Sequence, residues 1–231
     1  LAEEFLGRHA ADVEEEIRKA AAVEIMPRFR RLAEHEVDQK SGPHDLVTDA
    51  DRLAERHLTD ALGALLPGSV VVGEEAVHAN PLVYEALQGE APVWIIDPVD
   101  GTRQFVHGDP GFCTLVALAH RGVVLASWTY APARDQLATA VRGQGAFLDG
   151  RRVRNPDKER LADGVVSLGL PSSGFGRQYR EIRRHVRITR AMGSATLALT
   201  YVANGRFDAY VQWSRLSVWD ICAAGVIAIE G

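Results

Sequence analysis

Apolar residues near the start of the chain fall on one stripe. Val13, Ile17, Ala20, Ala21 and Ile25 recur at the spacing of a helix face. The pattern predicts a long helix over residues 3–34, kinked or broken at Pro27, whose ring nitrogen cannot join the helical ladder. The polar stretch over residues 38–44 predicts a loop. Thr48-Asp49-Ala50-Asp51 has the form of a capping box and opens a second helix, which runs to about Leu66 and stops at Pro67-Gly68. Val70, Val71 and Val72 form a short buried strand, and residues 81–88 a short helix. Val93-Trp94-Ile95-Ile96 is a second buried strand, ended by Asp97-Pro98. Residues 113–119 and 122–129 run apolar on either side of His120-Arg121-Gly122, which predicts a hairpin. Strands around Leu137–Val141 and a tight turn across residues 143–150 follow.

Over residues 150–160 the chain turns charged and loop-like, so the boundary between two closely packed lobes, 1–150 and 151–231, is placed there. The second lobe reads as strand 165–168, glycine-rich loop 169–176, helix 177–185, strand 186–190, helix 194–204, strand 207–212 and helix 219–229. The chain is therefore α/β, in mixed order and without an internal repeat.

Composition narrows the class. A net charge of -5 offers no broad basic surface for nucleic acid, so a phosphorylated ligand needs local positive charge from metals or a focused site. The apolar runs are too short to cross a bilayer, and acids stand where a signal peptide carries basic residues, so a cytoplasmic protein is expected. Cys113 and Cys222 lie far apart in apolar surroundings and are expected to be free thiols. The chain starts without Met and stops at Gly231 after an apolar stretch, so trimmed or disordered ends are expected.

The candidate chemistry is acidic. In Asp97-Pro98-Val99-Asp100-Gly101-Thr102 a buried strand delivers one carboxylate at its end and a second three residues on, just before a helix start with free backbone N–H groups. Glu74-Glu75 close another buried strand, and Trp219-Asp220 open the last helix. Taken singly, each acid has a structural reading: Asp100 as an N-cap, Asp220 as a first-turn acid, Asp51 as half of a capping box, Glu74-Glu75 as a solvated pair. Taken together, Glu74, Asp97, Asp100 and Asp220 form a set that cannot all ionise at close range without hard divalent cations. All-oxygen ligation favours Mg2+ or Mn2+, and no His or Cys cluster competes for a softer metal.

The ordered set resembles the inositol monophosphatase family of lithium-sensitive, metal-dependent phosphatases. The likeness runs through residues 40–48 and Asp51, Gly73-Glu74-Glu75, the 97–102 motif, Gly193-Ser194-Ala195 and Trp219-Asp220. It implies a layered αβαβα sandwich, a homodimer, and two or three Mg2+ ions acting on a small phosphorylated substrate. It implies that Glu74, Asp97 and the Val99 carbonyl hold one ion and that Asp97, Asp100 and Asp220 hold another. Glu74 would also reach a third through waters. Asp51 and Thr102, with Glu74, would serve the attacking water. Gly101 and Thr102 N–H groups would grip the phosphate, and Gly193, Ser194, Ala195, Trp213 and Asp220 would meet the substrate.

Two positions depart from the family pattern. Gln104 replaces a small polar residue, and Trp213 stands where inositol-type members carry Glu. Indole has one donor and no acceptor but offers a flat apolar face, so Trp213 either stacks on a ring in the substrate or serves as a packing anchor. Histidinol phosphate, 3′-phosphonucleotides and fructose 1,6-bisphosphate stay open beside inositol phosphates. A regulatory protein on the same scaffold is the alternative of another class.

Overall fold

Both faces of one large sheet are covered by helices. The structure, a computed structural model, describes residues 2–42, 45–156, 158, 160–169, 174–213 and 215–231. Helix α1 (Ala2–Ala20) leads through turns to an antiparallel pair, β1 (Val37–Gly42) and β2 (Asp45–Thr48), and then to α2 (Asp49–Leu65). β3 (Val70–Gly73), α3 (Glu74–Ala79), β4 (Val93–Asp100) and α4 (Thr102–Val106) follow. Next come β5 (Cys113–His120), β6 (Val123–Ala131), β7 (Gln136–Val141), β8 (Gly145–Leu148) and β9 (Arg151–Val153). Strands β3 to β9 lie side by side in sequence order in a seven-stranded sheet, parallel only at β3–β4.

The second part of the chain holds β10 (Val165–Leu168), α5 (Gly176–His185), β11 (Ile188–Arg190), α6 (Ala195–Ala203), β12 (Ala209–Val211) and α7 (Val218–Glu230). Its strands form a parallel three-stranded sheet with β10 in the middle.

The period of two along β4 explains the layering. Trp94 and Ile96 pack with Val13 and Ile17 of α1 and Leu58 and Leu62 of α2. Val93 and Ile95 point the other way, to Leu197 of α6 and to Trp219 and Ala223 of α7. A strand buried on both faces reads as a continuous apolar run, as Val93–Ile96 does. The small sheet adjoins α6 through β12, and α5 reaches it through Tyr179, whose ring meets Trp213 just past β12. This is the expected layered sandwich.

Local departures have physical causes. The first helix stops its α-form at Ala20, and Ala21–Ile25 is a wider π-turn in which Met26 N–H reaches the Ala21 carbonyl at 2.8 Å. The break thus begins ahead of Pro27, not at it. Val37–Gly42 and Asp45–Thr48 pair as strands where a loop is expected for 38–44; Asp38 lies opposite Val47. Pro43 and His44 lie outside the described residues, as do 170–173 of the glycine-rich loop. The short helix expected over 81–88 is a 3-10 helix capped by Asn80. Both cysteines are free.

Leu58 is fully buried between α1 and the sheet, whereas Ile229 is 82% exposed. Leu58→Ala is expected to cost about 2–5 kcal/mol, and Ile229→Ala less than about 0.5 kcal/mol, in urea unfolding midpoints. Equal losses would contradict this placement of the core.

Candidate metal and phosphate site

In a regular strand, residues three apart face opposite sides. Asp97 and Asp100 escape that rule because the β4–β5 register slips between them. Asp97 Oδ1 accepts the Val99 N–H at 3.0 Å, and Thr114 Oγ1 donates to the Pro98 carbonyl at 2.9 Å, which pins the irregular segment. Gly101 then turns the chain at φ 88°, in the left-handed region, where a Cβ would also stand 3.0 Å from the Gly111 carbonyl oxygen. Asp220 arrives from the other side of the sheet. It is the third helical residue of α7 and accepts the Ser217 N–H at 2.7 Å in a capping box. One oxygen each from Asp97, Asp100 and Asp220 lies within 4.8 Å of the others.

Glu74 is not in that close group, yet it is near. β3 runs parallel to β4 with Gly73 opposite Ile96, so Glu74 emerges beside Asp97. The first turn of α3 is fixed by Glu55 of α2, whose carboxylate accepts the N–H groups of Glu75 at 2.7 Å and Ala76 at 2.8 Å. The contact is close enough that a Cβ on Gly73 would fall 2.3 Å from the Glu55 carboxyl carbon. Sequence reasoning missed Glu55. Its signal was an acid on the buried face of α2, alongside Ala54 and Leu58.

Asp51, 1% exposed, faces the same point. Its Oδ2 accepts the Thr48 N–H at 2.7 Å and the Thr48 hydroxyl at 2.5 Å. Its Oδ1 lies 3.3 Å from Thr102 Oγ1, which is also 3.0 Å from the Val99 carbonyl oxygen. A hydroxyl has one proton, so Thr102 can donate to one of these at a time.

Burial, then the neighbouring carboxylates Glu74, Asp100, Asp220 and Asp51, pushes Asp97 well above the usual range. Burial likewise raises Asp51, Glu55 and Asp220, each to about 7, against the hydrogen bonds each accepts and with help from neighbouring acids. Asp100 is raised by burial and partly relieved by donors from Ser194, Thr196 and Cys113. Among the described residues, no Lys or Arg is a leading influence on these carboxyls. A dense, all-oxygen donor set of this kind suits a hard divalent cation.

Beside the cluster opens a cleft of about 330 Å³. Asp100, Asp220, Gly193 and Ala195 line it, with Arg103, Gln104, Tyr210 and Gln212. Gln104 packs so closely on Gly193 that a Cβ there would fall 1.8 Å from its side-chain nitrogen. Ser194 is buried and turns its hydroxyl to Asp100. Trp213 is not among the described residues lining the cleft; its ring lies 5.6 Å from that of Tyr179, and Tyr210 and Gln212 supply this part of the wall.

Residues 8–230 match the model of the Inositol monophosphatase family. The chain is 41% identical over 198 residues to an inositol-1-monophosphatase of Rhizobium meliloti, covering 82% of this chain and 70% of the relative. It is 31% identical over 220 residues to the Nus factor SuhB of Pseudomonas aeruginosa, covering 92% and 79%. Among solved structures, a Thermotoga maritima IMPase superposes with a TM-score of 0.84 at 32% identity, covering 97% of this chain and 83% of that one.

The raised carboxyls fix the sign of a pH effect in the metal-free protein. A group whose folded pKa lies above its unfolded value contributes stability that is complete below the unfolded pKa and is lost as pH rises through the folded one. For Asp51, Glu55 and Asp220 that window runs from about 4 to about 7. Asp97→Asn removes a repelling charge, so in chelator its Tm is expected to exceed wild type by about 2–4 °C near pH 8, with the gap closing by pH 4. Thermal scans of both proteins across pH check this; a lower Tm for Asp97→Asn near pH 8 would contradict it.

Proposed function

The chain belongs to the Inositol monophosphatase family of phosphoric monoester hydrolases, and on that premise we propose that it hydrolyses a small phosphate monoester with Mg2+ as cofactor. The observation that carries the reading is the convergence of Asp97, Asp100 and Asp220, with Asp51 and Thr102 on the same point. Asp97, Asp100 and Asp220 would hold one ion, and Glu74, Asp97 and the Val99 carbonyl another; Mn2+ fits the same donors. When bound, such ions neutralise charge on the phosphoryl oxygens and lower the pKa of a water.

The protein's own groups do the rest. Thr102 Oγ1 sits between Asp51 and the Val99 carbonyl, placed to orient the attacking water and pass its proton to Asp51. The Thr48 N–H and hydroxyl hold Asp51 Oδ2 in place, leaving Oδ1 for that exchange. The N–H groups of Gly101 and Thr102 are the proposed grip on the phosphate. The cleft between Gly193-Ala195 and Tyr210-Gln212 is the proposed seat of the alcohol part. Trp213, packed on Tyr179, backs that wall in this reading.

Residues 1–150 supply Asp51, Glu74, Asp97, Asp100 and Thr102, while 151–231 supply the 193–195 loop and Asp220, so we propose that the site lies between the two lobes. Inositol phosphates come first as substrates; histidinol phosphate, a 3′-phosphonucleotide and fructose 1,6-bisphosphate compete. A cytoplasmic homodimer is the proposed form; among the described residues no helix is long and apolar enough to cross a membrane. The likeness to a Nus factor keeps a regulatory role in view, but the carboxylate cluster favours the enzyme.

Phosphate release from a panel of monoesters tests this. Activity is expected to vanish on chelation, return with Mg2+ but hardly with Ca2+, and fall with lithium. Full turnover in excess chelator would contradict the metal reading.

Variants should separate the roles. Asp97→Asn should abolish turnover, and Asp220→Asn should regain part of it at high Mg2+. Thr102→Ala should lower kcat by about 100-fold or more with little change in KM. Wild-type rates for Asp97→Asn would remove the motif from the mechanism.

A further inference from the structure

Three polar side chains crowd one oxygen of Asp100. The hydroxyls of Ser194 and Thr196 and the thiol of Cys113, at 3.6 Å, all approach its Oδ2. The three donors also touch one another: Cys113 Sγ lies 3.2 Å from Thr196 Oγ1, and Ser194 Oγ lies 2.9 Å from Thr196 Oγ1. All three side chains are essentially fully buried.

Counting protons orders the network. Ser194 Oγ accepts the Leu197 N–H at 3.0 Å as the cap of α6, so its own proton is free for Asp100. Thr196 has one proton, and the carboxylate is the strongest acceptor near it. The Thr196 oxygen is then left as an acceptor, and the nearest unused donor is the Cys113 thiol. Each proton is used once: Leu197 N–H to Ser194, Ser194 and Thr196 to Asp100, Cys113 to Thr196.

We propose that Cys113, Thr196 and Ser194 are positioning residues that lock Asp100 through Oδ2 and so leave its other oxygen directed for the metal. The proposal rests on the reading of Asp100 as a metal ligand. It changes the part assigned to Ser194, which acts on Asp100 instead of on the substrate. It also links α6 to β4: the helix that covers the sheet holds a ligand offered by the strand beneath it.

The lock matters because a free carboxylate can rotate, and ordering it costs affinity when the ion binds. Losing a donor that fixes a ligand typically costs metal affinity or activity. Thr196 and Cys113 should therefore set how much metal is needed.

Mn2+ binding to the metal-stripped full chain, followed by electron paramagnetic resonance, is the test. Thr196→Val removes the hydroxyl at similar size and is expected to raise the Mn2+ Kd about tenfold. Thr196→Ser keeps the hydroxyl and should stay within about twofold of wild type. Cys113→Ala, one step further out, should raise the Kd about threefold, and it serves as a second probe should the valine variant fold poorly. A wild-type Kd in Thr196→Val and Cys113→Ala would overturn the proposal. So would equal weakening by valine and serine at 196, which would assign the effect to packing. Failure of the wild type to bind Mn2+ at all would overturn the metal reading beneath it.

Discussion

Three aspartate oxygens within 4.8 Å of one another, one buried and two at the wall of a cleft, repel each other. Much of the surrounding structure exists to hold that repulsion in place. A register slip in β4 turns Asp97 and Asp100 to the same side, a capping box aims Asp220, and Glu55 ties down the turn that starts with Glu74. Without a cation the arrangement weakens the fold. In the proposed metal reading, a bound cation would find its ligands already ordered, and the stability that the free protein forgoes would reappear as metal affinity.

The scaffold suits this purpose because the acids come from separate layers. The large sheet contributes Asp97 and Asp100, the helices on one face contribute Asp51 and Glu55, and α7 on the other contributes Asp220. β4 lies between these layers with both faces buried, so its end is held from both sides. Charges that would push a single surface loop apart are kept together by the packing of Leu58 and Leu62 on one side and of Trp219 and Ala223 on the other.

How much could be read from the sequence followed how local each cause is. The 97–102 motif was legible because strand, bulge, glycine turn and helix start lie within a few residues. Asp51 was legible as half of a capping box and Asp220 only as a first-turn acid; the structure makes each the third residue of a capping box. The pairing of β1 with β2 was not, since that ladder depends on backbone pairing that side-chain pattern does not encode. The groups around Asp100 Oδ2 were not either: Thr196 meets it across 96 residues of chain, and Cys113 read only as a buried thiol. Gln104, set down as a departure, proves to fill the space that Gly193 leaves open.

The central claim is that the carboxylate cluster is a metal centre made by this fold. Anomalous diffraction from crystals grown with Mn2+ tests it most directly. The account predicts a strong anomalous peak ligated by Asp97, Asp100 and Asp220, with a further peak toward Glu74 and the Val99 carbonyl. Crystals that bind Mn2+ only elsewhere, with these three aspartates unligated, would contradict it.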